Sequence, residues 1–141
     1  MRGILFVIAL GAGALLGPAP AAAGVIAQIE LASQRMIVKV DGQVRHVWPV
    51  STALPGYRTP TGSFRPQSMH VRHFSTLYHG SPMPHSIFFD GNFAIHGTYE
   101  IKNLGRRASH GCVRLHPAAA KELFQLIQRE GPANTEIMVT G

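Results

Sequence analysis

The sequence predicts a mostly-β domain, a β-sandwich or barrel with one late α-helix packed on its side. Three observations carry that reading. Short apolar segments recur along the chain and are closed by turn dipeptides, Asp41-Gly42, Pro55-Gly56 and Asp90-Gly91 among them. Only the stretch from Pro117 to Arg129 has apolar residues at convincing helical spacing. Once a leader is set aside, the chain is long enough for one unstapled core and too short for two domains.

The leader reading covers residues 1–23. Arg2 supplies a positive charge, Ile4 to Leu16 an apolar run, and Ala21-Ala22-Ala23 the small residues of a cleavage site. The run is short for a membrane span. Cleavage after Ala23 is expected, leaving residues 24–141 as the working domain, exported to the periplasm or cell wall with no stable membrane insertion. A monomer is expected. A composition of 45% hydrophobic and 14% charged residues excludes a disordered chain. Without Arg2, 12 Lys and Arg stand against 7 Asp and Glu, a net charge of +5. Outside the inner membrane the anions are lipid head groups and wall polymers, so this balance points to an anionic envelope and away from nucleic acid.

The elements follow in order. Val25 to Leu31 and Met36 to Val40 read as strands, Asp41-Gly42 as a hairpin turn, and Val44 to Val50 as the returning strand. A two-residue loop places Val38 opposite Arg45, which breaks the alternation. Residues 51–62 are a loop rich in Pro, Gly and Thr. Residues 66–85 form a long irregular stretch with His70, His73, His79 and His85, of a length more often functional than idle. Ser86 to Phe89 and Phe93 to His96 are short strands, and residues 97–111 a loop rich in Gly and Arg. In the helix, Ala119, Ala120, Leu123, Phe124 and Ile127 share a face, with Pro117 at the start and Gly131-Pro132 as the stop. Glu136 to Thr140 is the last strand.

Cysteine use is informative. Exported proteins usually pair their cysteines, and this chain has one, Cys112. Taken alone it reads equally as a small buried hydrophobe or as a nucleophile. Its surroundings favour the nucleophile. Ser109-His110-Gly111-Cys112-Val113-Arg114-Leu115 sets a thiol two residues after an imidazole, and Ile95-His96-Gly97 brings a second imidazole from a strand end. A nearby imidazole can take the thiol's proton, so a free thiol of low pKa is expected. Gly111 lets a substrate approach the backbone, and N–H groups around the thiol can meet an oxyanion. Arg114 can grip a carboxylate with its planar fork or clamp the loop; the sequence leaves both open.

These blocks resemble the catalytic domain of the L,D-transpeptidases, the YkuD-type family of the bacterial cell wall. The match lies in His96-Gly97 followed by Ser109-His110-Gly111-Cys112-Val113-Arg114. Thr59-Pro60-Thr61-Gly62-Ser63-Phe64, Pro49-Val50-Ser51-Thr52 and Pro82-Met83-Pro84 support it, so that it spans residues 25–140. The resemblance implies acyl transfer on peptidoglycan stem tetrapeptides. Cys112 forms a thioester with loss of the terminal D-Ala, and an amine then takes the acyl group to make a 3→3 cross-link. It implies His96 as general base, oriented by a carbonyl such as that of Gly97, and an oxyanion hole from the Gly111 and Cys112 N–H groups. His110 is a wall on the oxyanion side, and Ser109 joins Arg114 among the substrate-contacting residues. No metal and no cofactor are required, and carbapenem-type β-lactams should acylate Cys112.

Other readings stay open. Water as acceptor would give an L,D-carboxypeptidase, and a protein acceptor would give anchor attachment. A non-catalytic wall-binding module would not need the thiol site. A metal-dependent hydrolase is disfavoured, because no His-Glu-x-x-His is present and His70 and His73 fall in a loop. Residues 66–85 have no residue-by-residue counterpart in the family pattern, and the domain is expected to stand without a peptidoglycan-binding repeat ahead of it.

Overall fold

In the computed structural model, which describes residues 11–14 and 24–141, the chain forms two mixed β-sheets and one α-helix. The leader reading falls almost wholly on residues outside those described.

The first sheet has five strands: β1 (Val25–Glu30), β2 (Arg35–Val40), β3 (Gln43–Pro49), β4 (Gly62–Phe64) and β9 (Thr135–Thr140), in the order β3-β2-β1-β9-β4. β1 and β9 are parallel and the other pairs antiparallel. The alternation is clean on one face: Val25, Ala27, Ile29, Met36, Val38, Ile137 and Val139 are buried while their neighbours are less so. The hairpin at Asp41-Gly42 begins in the expected register, with Val40 opposite Gln43 and Lys39 opposite Val44. The ladder then shifts, and Val38 faces His46. A bulge at Arg45 thus absorbs the mismatch that broke the alternation in the sequence.

The second sheet holds β5 (Ser68–His70), β6 (Ser86–Asp90), β7 (Phe93–Gly97) and β8 (Val113–Leu115), in that order. β5 and β6 are antiparallel partners with His70 opposite Ser86. Residues 71–85 are therefore one long connection of a hairpin and not a free-running loop. β7 and β8 run parallel, with Ile95 opposite Val113, His96 opposite Arg114 and Gly97 opposite Leu115. Three strands were not anticipated from the sequence: β4, β5 and β8, each only three residues long; β5 lies inside the stretch read as irregular, and β4 and β8 at or just past the ends of the loops read at 51–62 and 97–111.

Helix α1 (Pro117–Glu130) packs on β7, β6 and β1. Its buried face is the anticipated one with Leu126 added. His116 caps it, its Nδ1 accepting the Ala118 N–H at 3.1 Å, and Gly131 ends it with φ +98°. Gly97 packs against its first turns: a Cβ there would lie 3.0 Å from the Pro84 ring and 3.2 Å from the Pro117 Cα. The core is continuous from β1, β2 and β9 through the helix to Ile87, Phe89, Ile95, Val113 and Leu115. No helix among the described residues is long and apolar enough to cross a membrane.

Candidate active site

Strand alternation and the β7–β8 register build the centre of the site. Ile95 and Val113 point into the core and are fully buried. Their neighbours along each strand must face the other way, so His96 shares a face with Cys112 and Arg114. Arg114 is its cross-strand neighbour and Cys112 its diagonal one, within side-chain reach. A loop of residues 98–111 brings together groups that stand far apart in the sequence.

His96 is buried, and its Nδ1 lies 2.7 Å from the Gly97 carbonyl oxygen. A carbonyl only accepts, so Nδ1 carries the proton and Nε2 keeps its lone pair. Burial lowers the His96 pKa to about 4; the Gly97 carbonyl offsets part of that loss, and the charges of Arg114 and His73 add to it. The ring is thus a neutral imidazole at neutral pH. Cys112 departs from the low-pKa thiol expected of it. Burial pushes the thiol above its ordinary value, against the smaller opposing pulls of the Ala94 backbone and the Arg114 charge. At rest the thiol points at the Asn92 carbonyl oxygen, 3.8 Å away, and the imidazole on the same face is neutral, so the site holds no thiolate–imidazolium ion pair.

The loop before the thiol is braced from two sides. Gly111 has φ +137°, and a Cβ there would meet the Phe93 ring and lie 2.8 Å from the Arg58 carbonyl oxygen, so only glycine fits. The Thr59 hydroxyl donates to the Gly111 carbonyl at 2.9 Å and accepts the Ala53 N–H at 3.1 Å. The Thr52 carbonyl accepts from the Ala108 and Ser109 N–H groups, both at 2.9 Å. Ser51 and Arg114 exchange backbone bonds of 3.0 and 2.8 Å. Behind them Gln34, buried with φ +52°, bonds Thr52 through both ends of its amide. The sequence marked 49–52 and 59–64 as supporting segments; it gave no sign of Gln34.

Two residues expected at the site also hold the thiol loop in shape. Ser109 is buried and its hydroxyl is committed to the loop: it donates to the Cys112 carbonyl at 2.6 Å and accepts the Gly111 N–H at 3.1 Å. It braces the thiol loop and lines the pocket beside Cys112. The Gly111 N–H, expected in an oxyanion hole, is occupied by that same hydroxyl.

Cys112, His96 and Arg114 open on a pocket of about 430 Å³. Phe93, Phe88 and Met83 give it an apolar wall, and residues from 73 to 81 rise over one side. His110 lies at its rim between two tyrosines, its ring centroid 4.5 Å from that of Tyr57 and 4.3 Å from that of Tyr78. Neither tyrosine was singled out from the sequence. Arg114 Nη1 approaches Glu100 Oε2 at 3.5 Å and the Ala108 carbonyl at 3.4 Å. Of the four histidines in 66–85, His73 lines the pocket and meets Phe88 edge-on, as His70 does, while His85 packs on Phe124. Among the described residues, no three His, Cys, Asp or Glu side chains are grouped to hold a metal ion.

The molecule is a two-sheet β domain with a thiol and a neutral imidazole facing one pocket from adjacent parallel strands. The model of the YkuD family, the L,D-transpeptidase catalytic domain, matches residues 24–137, and the chain belongs to that family. YqjB of Bacillus subtilis (strain 168), which carries the L,D-transpeptidase name, is 29% identical over 124 residues, 77% of this chain and 66% of YqjB. An L,D-transpeptidase structure from Xylanimonas cellulosilytica superposes with a TM-score of 0.72 at 28% identity, covering 84% of this chain and 61% of the other. One from Mycobacterium smegmatis gives 0.74 at 21% identity, covering 84% and 59%. The chain thus spans between about three fifths and two thirds of the length of the chains it matches.

Proposed function

We propose that this protein is a cysteine-dependent peptidoglycan L,D-transpeptidase, with Cys112 as nucleophile and His96 as general base. The observation that carries the reading is the β7–β8 register, which sets the two side chains on one face with the imidazole tautomer held by the Gly97 carbonyl. Nε2 of His96 takes the thiol proton as sulfur attacks the carbonyl preceding the terminal D-Ala of a stem tetrapeptide. The proton then passes to the leaving amine, D-Ala departs, and a thioester remains. An amine attacks the thioester and forms a 3→3 cross-link. The Cys112 N–H and the Arg114 charge face the developing oxyanion, while the Gly111 N–H orients Ser109. A thioester stores enough free energy for amide formation in a compartment without ATP.

Because thiol and imidazole are neutral at rest, proton transfer belongs to the attack itself and not to a step before it. The thiol is thereby less exposed to oxidants than a standing thiolate, which suits a lone cysteine in the periplasm or cell wall. The exported form is residues 24–141, cleaved after Ala23, and N-terminal sequencing of protein recovered from the envelope tests that.

The activity is tested by incubating the mature protein with purified wall material and weighing the stem peptides released by digestion. Dimers linked 3→3 are expected. Tripeptides alone would make the protein an L,D-carboxypeptidase, and an unchanged digest would overturn the reading. A solved L,D-transpeptidase, LdtMt1, of the same fold at TM-score 0.69 holds imipenem, so a carbapenem is a suitable covalent probe for Cys112.

A further inference from the structure

Ten large hydrophobic side chains are exposed among the described residues, and six of them come from two segments, the 51–62 loop and the 71–85 connection. They are Leu54, Tyr57, Val71, Phe74, Leu77 and Tyr78. The His110 ring joins the two segments at the rim of the thiol pocket, with centroids 4.5 Å from Tyr57 and 4.3 Å from Tyr78. Leu77 and Tyr78 line the pocket itself, whereas Leu54, Val71 and Phe74 stand outside it. Apolar residues exposed singly are ordinary; a group of them gathered at one opening marks a surface that something covers.

Charge follows the same segments. From Gly42 to Phe89 the chain carries no Asp and no Glu, but four arginines, Arg45, Arg58, Arg65 and Arg72. Arg58 and Arg72 are exposed and adjoin Tyr57 and Val71 in the chain. Asp90 is the only carboxylate that lines the pocket. This composition narrows what covers the rim. A glycan stacks its rings on flat aromatic faces, and Leu54, Val71 and Leu77 offer none. A second copy of the chain would set arginine against arginine, with no carboxylate from either segment to receive it. An anionic bilayer suits every group present. Its acyl boundary takes the aliphatic side chains, its interface takes tyrosine, and its head-group phosphates take arginine.

We propose that the rim formed by Leu54, Tyr57, Phe74 and Leu77 with Arg58 and Arg72 is a peripheral docking surface that seats the protein, pocket mouth first, on an anionic lipid bilayer. Docking is reversible, because it uses a few side chains of two loops, and no helix among the described residues can span the bilayer. One consequence rests on the transpeptidase reading: a docked thiol meets stem peptides at the membrane surface before those deeper in the wall. The docking itself does not depend on that reading.

The test uses residues 24–141, which hold the whole core and lack the apolar run of residues 4–16 that would bind lipid by itself. The protein is sedimented with vesicles of phosphatidylcholine alone, and of phosphatidylcholine mixed with phosphatidylglycerol, at low and high salt. Partitioning should favour the mixed vesicles and weaken with salt. Leu54→Ser with Phe74→Ser should lower partitioning into the mixed vesicles by at least about tenfold. Arg72→Ala should lower it roughly fivefold there and leave neutral vesicles unchanged. Leu54, Phe74 and Arg72 do not line the thiol pocket, so carbapenem labelling of Cys112 and the urea midpoint should match wild type in both variants. If the double variant loses its midpoint, Phe74→Ser alone and Arg72→Ala decide. No partitioning into mixed vesicles, or partitioning that the folded apolar variant leaves unchanged, overturns the proposal. So does an apolar variant that keeps vesicle binding but loses binding to purified wall material, or loses a dimer, because the rim then serves a glycan or a second copy. Each of these failures leaves the transpeptidase reading standing, since wall digests test that separately.

Discussion

The β7–β8 pair and the 71–85 connection face each other across the same pocket and are built in opposite ways. β7 and β8 are short, parallel and anchored to the core by Ile95, Val113 and Leu115, all fully buried. The connection is closed largely on itself: His85 N–H to the Val71 carbonyl at 2.9 Å, Met83 to His73 at 2.8 Å, Ser75 to Ser81 at 2.9 Å. It leaves Val71, Phe74, Leu77 and Tyr78 exposed. Its positive-φ residues are Gly80 and two histidines, His79 and His85. Bond-making geometry is thus set by strand register, which tolerates no drift, while a connection bonded mostly to itself carries the apolar and histidine side chains that line the thiol pocket.

That contrast can be broken by substitution. Cys112→Ala should abolish covalent labelling by a carbapenem, read as the missing adduct on the peptide containing residue 112; an undiminished adduct removes the thiol from the mechanism. The next effect is on stability. The His96 pKa is lowered to about 4 in the folded protein, from 6.5 for the free side chain. Between those values the unfolded chain binds the proton and the folded chain does not, so stability is lost as pH falls through that window and is fully present above it. The loss from His96 is at most about 3 kcal/mol. Urea midpoints across this range should show a steep slope, flattened in His96→Asn. Gly111→Ala should cost about 1–3 kcal/mol in the same measurement, because a Cβ at φ +137° meets the Arg58 carbonyl. Tyr78→Ala on the connection should do least: a few-fold rise in donor KM with kcat and stability nearly unchanged. A collapse of stability there would show the connection to be part of the core.

Legibility in the sequence followed the same divide. The helix was readable because its apolar face repeats over several turns and is bounded by Pro117 and Gly131. The first hairpin was readable from Asp41-Gly42, but its bulge at Arg45 was visible only as broken alternation. Cys112, His96 and Arg114 were readable as chemistry because a lone thiol and flanking imidazoles are unusual in a chain read as exported. β8 was not, since a three-residue strand has no period to detect, although it aligns all three groups. The bracing by Ser109 and the Gly111 N–H was not legible, because residue type does not reveal that a hydroxyl will close on its own loop. The thiol's pKa was misjudged because sequence lists charged neighbours but not burial, which dominates.

The most direct test is the rate of Cys112 acylation by a carbapenem, followed by intact mass from acid to alkaline pH, in the wild-type protein and in His96→Ala. A buried neutral base predicts a wild-type rate that falls on the acid side only near pH 4. It also predicts a drop of roughly 100- to 10,000-fold in His96→Ala, with that acid limb gone. A rate in His96→Ala close to wild type, or an acid limb that persists unchanged without the imidazole, would contradict the assignment of His96 as the base that serves Cys112.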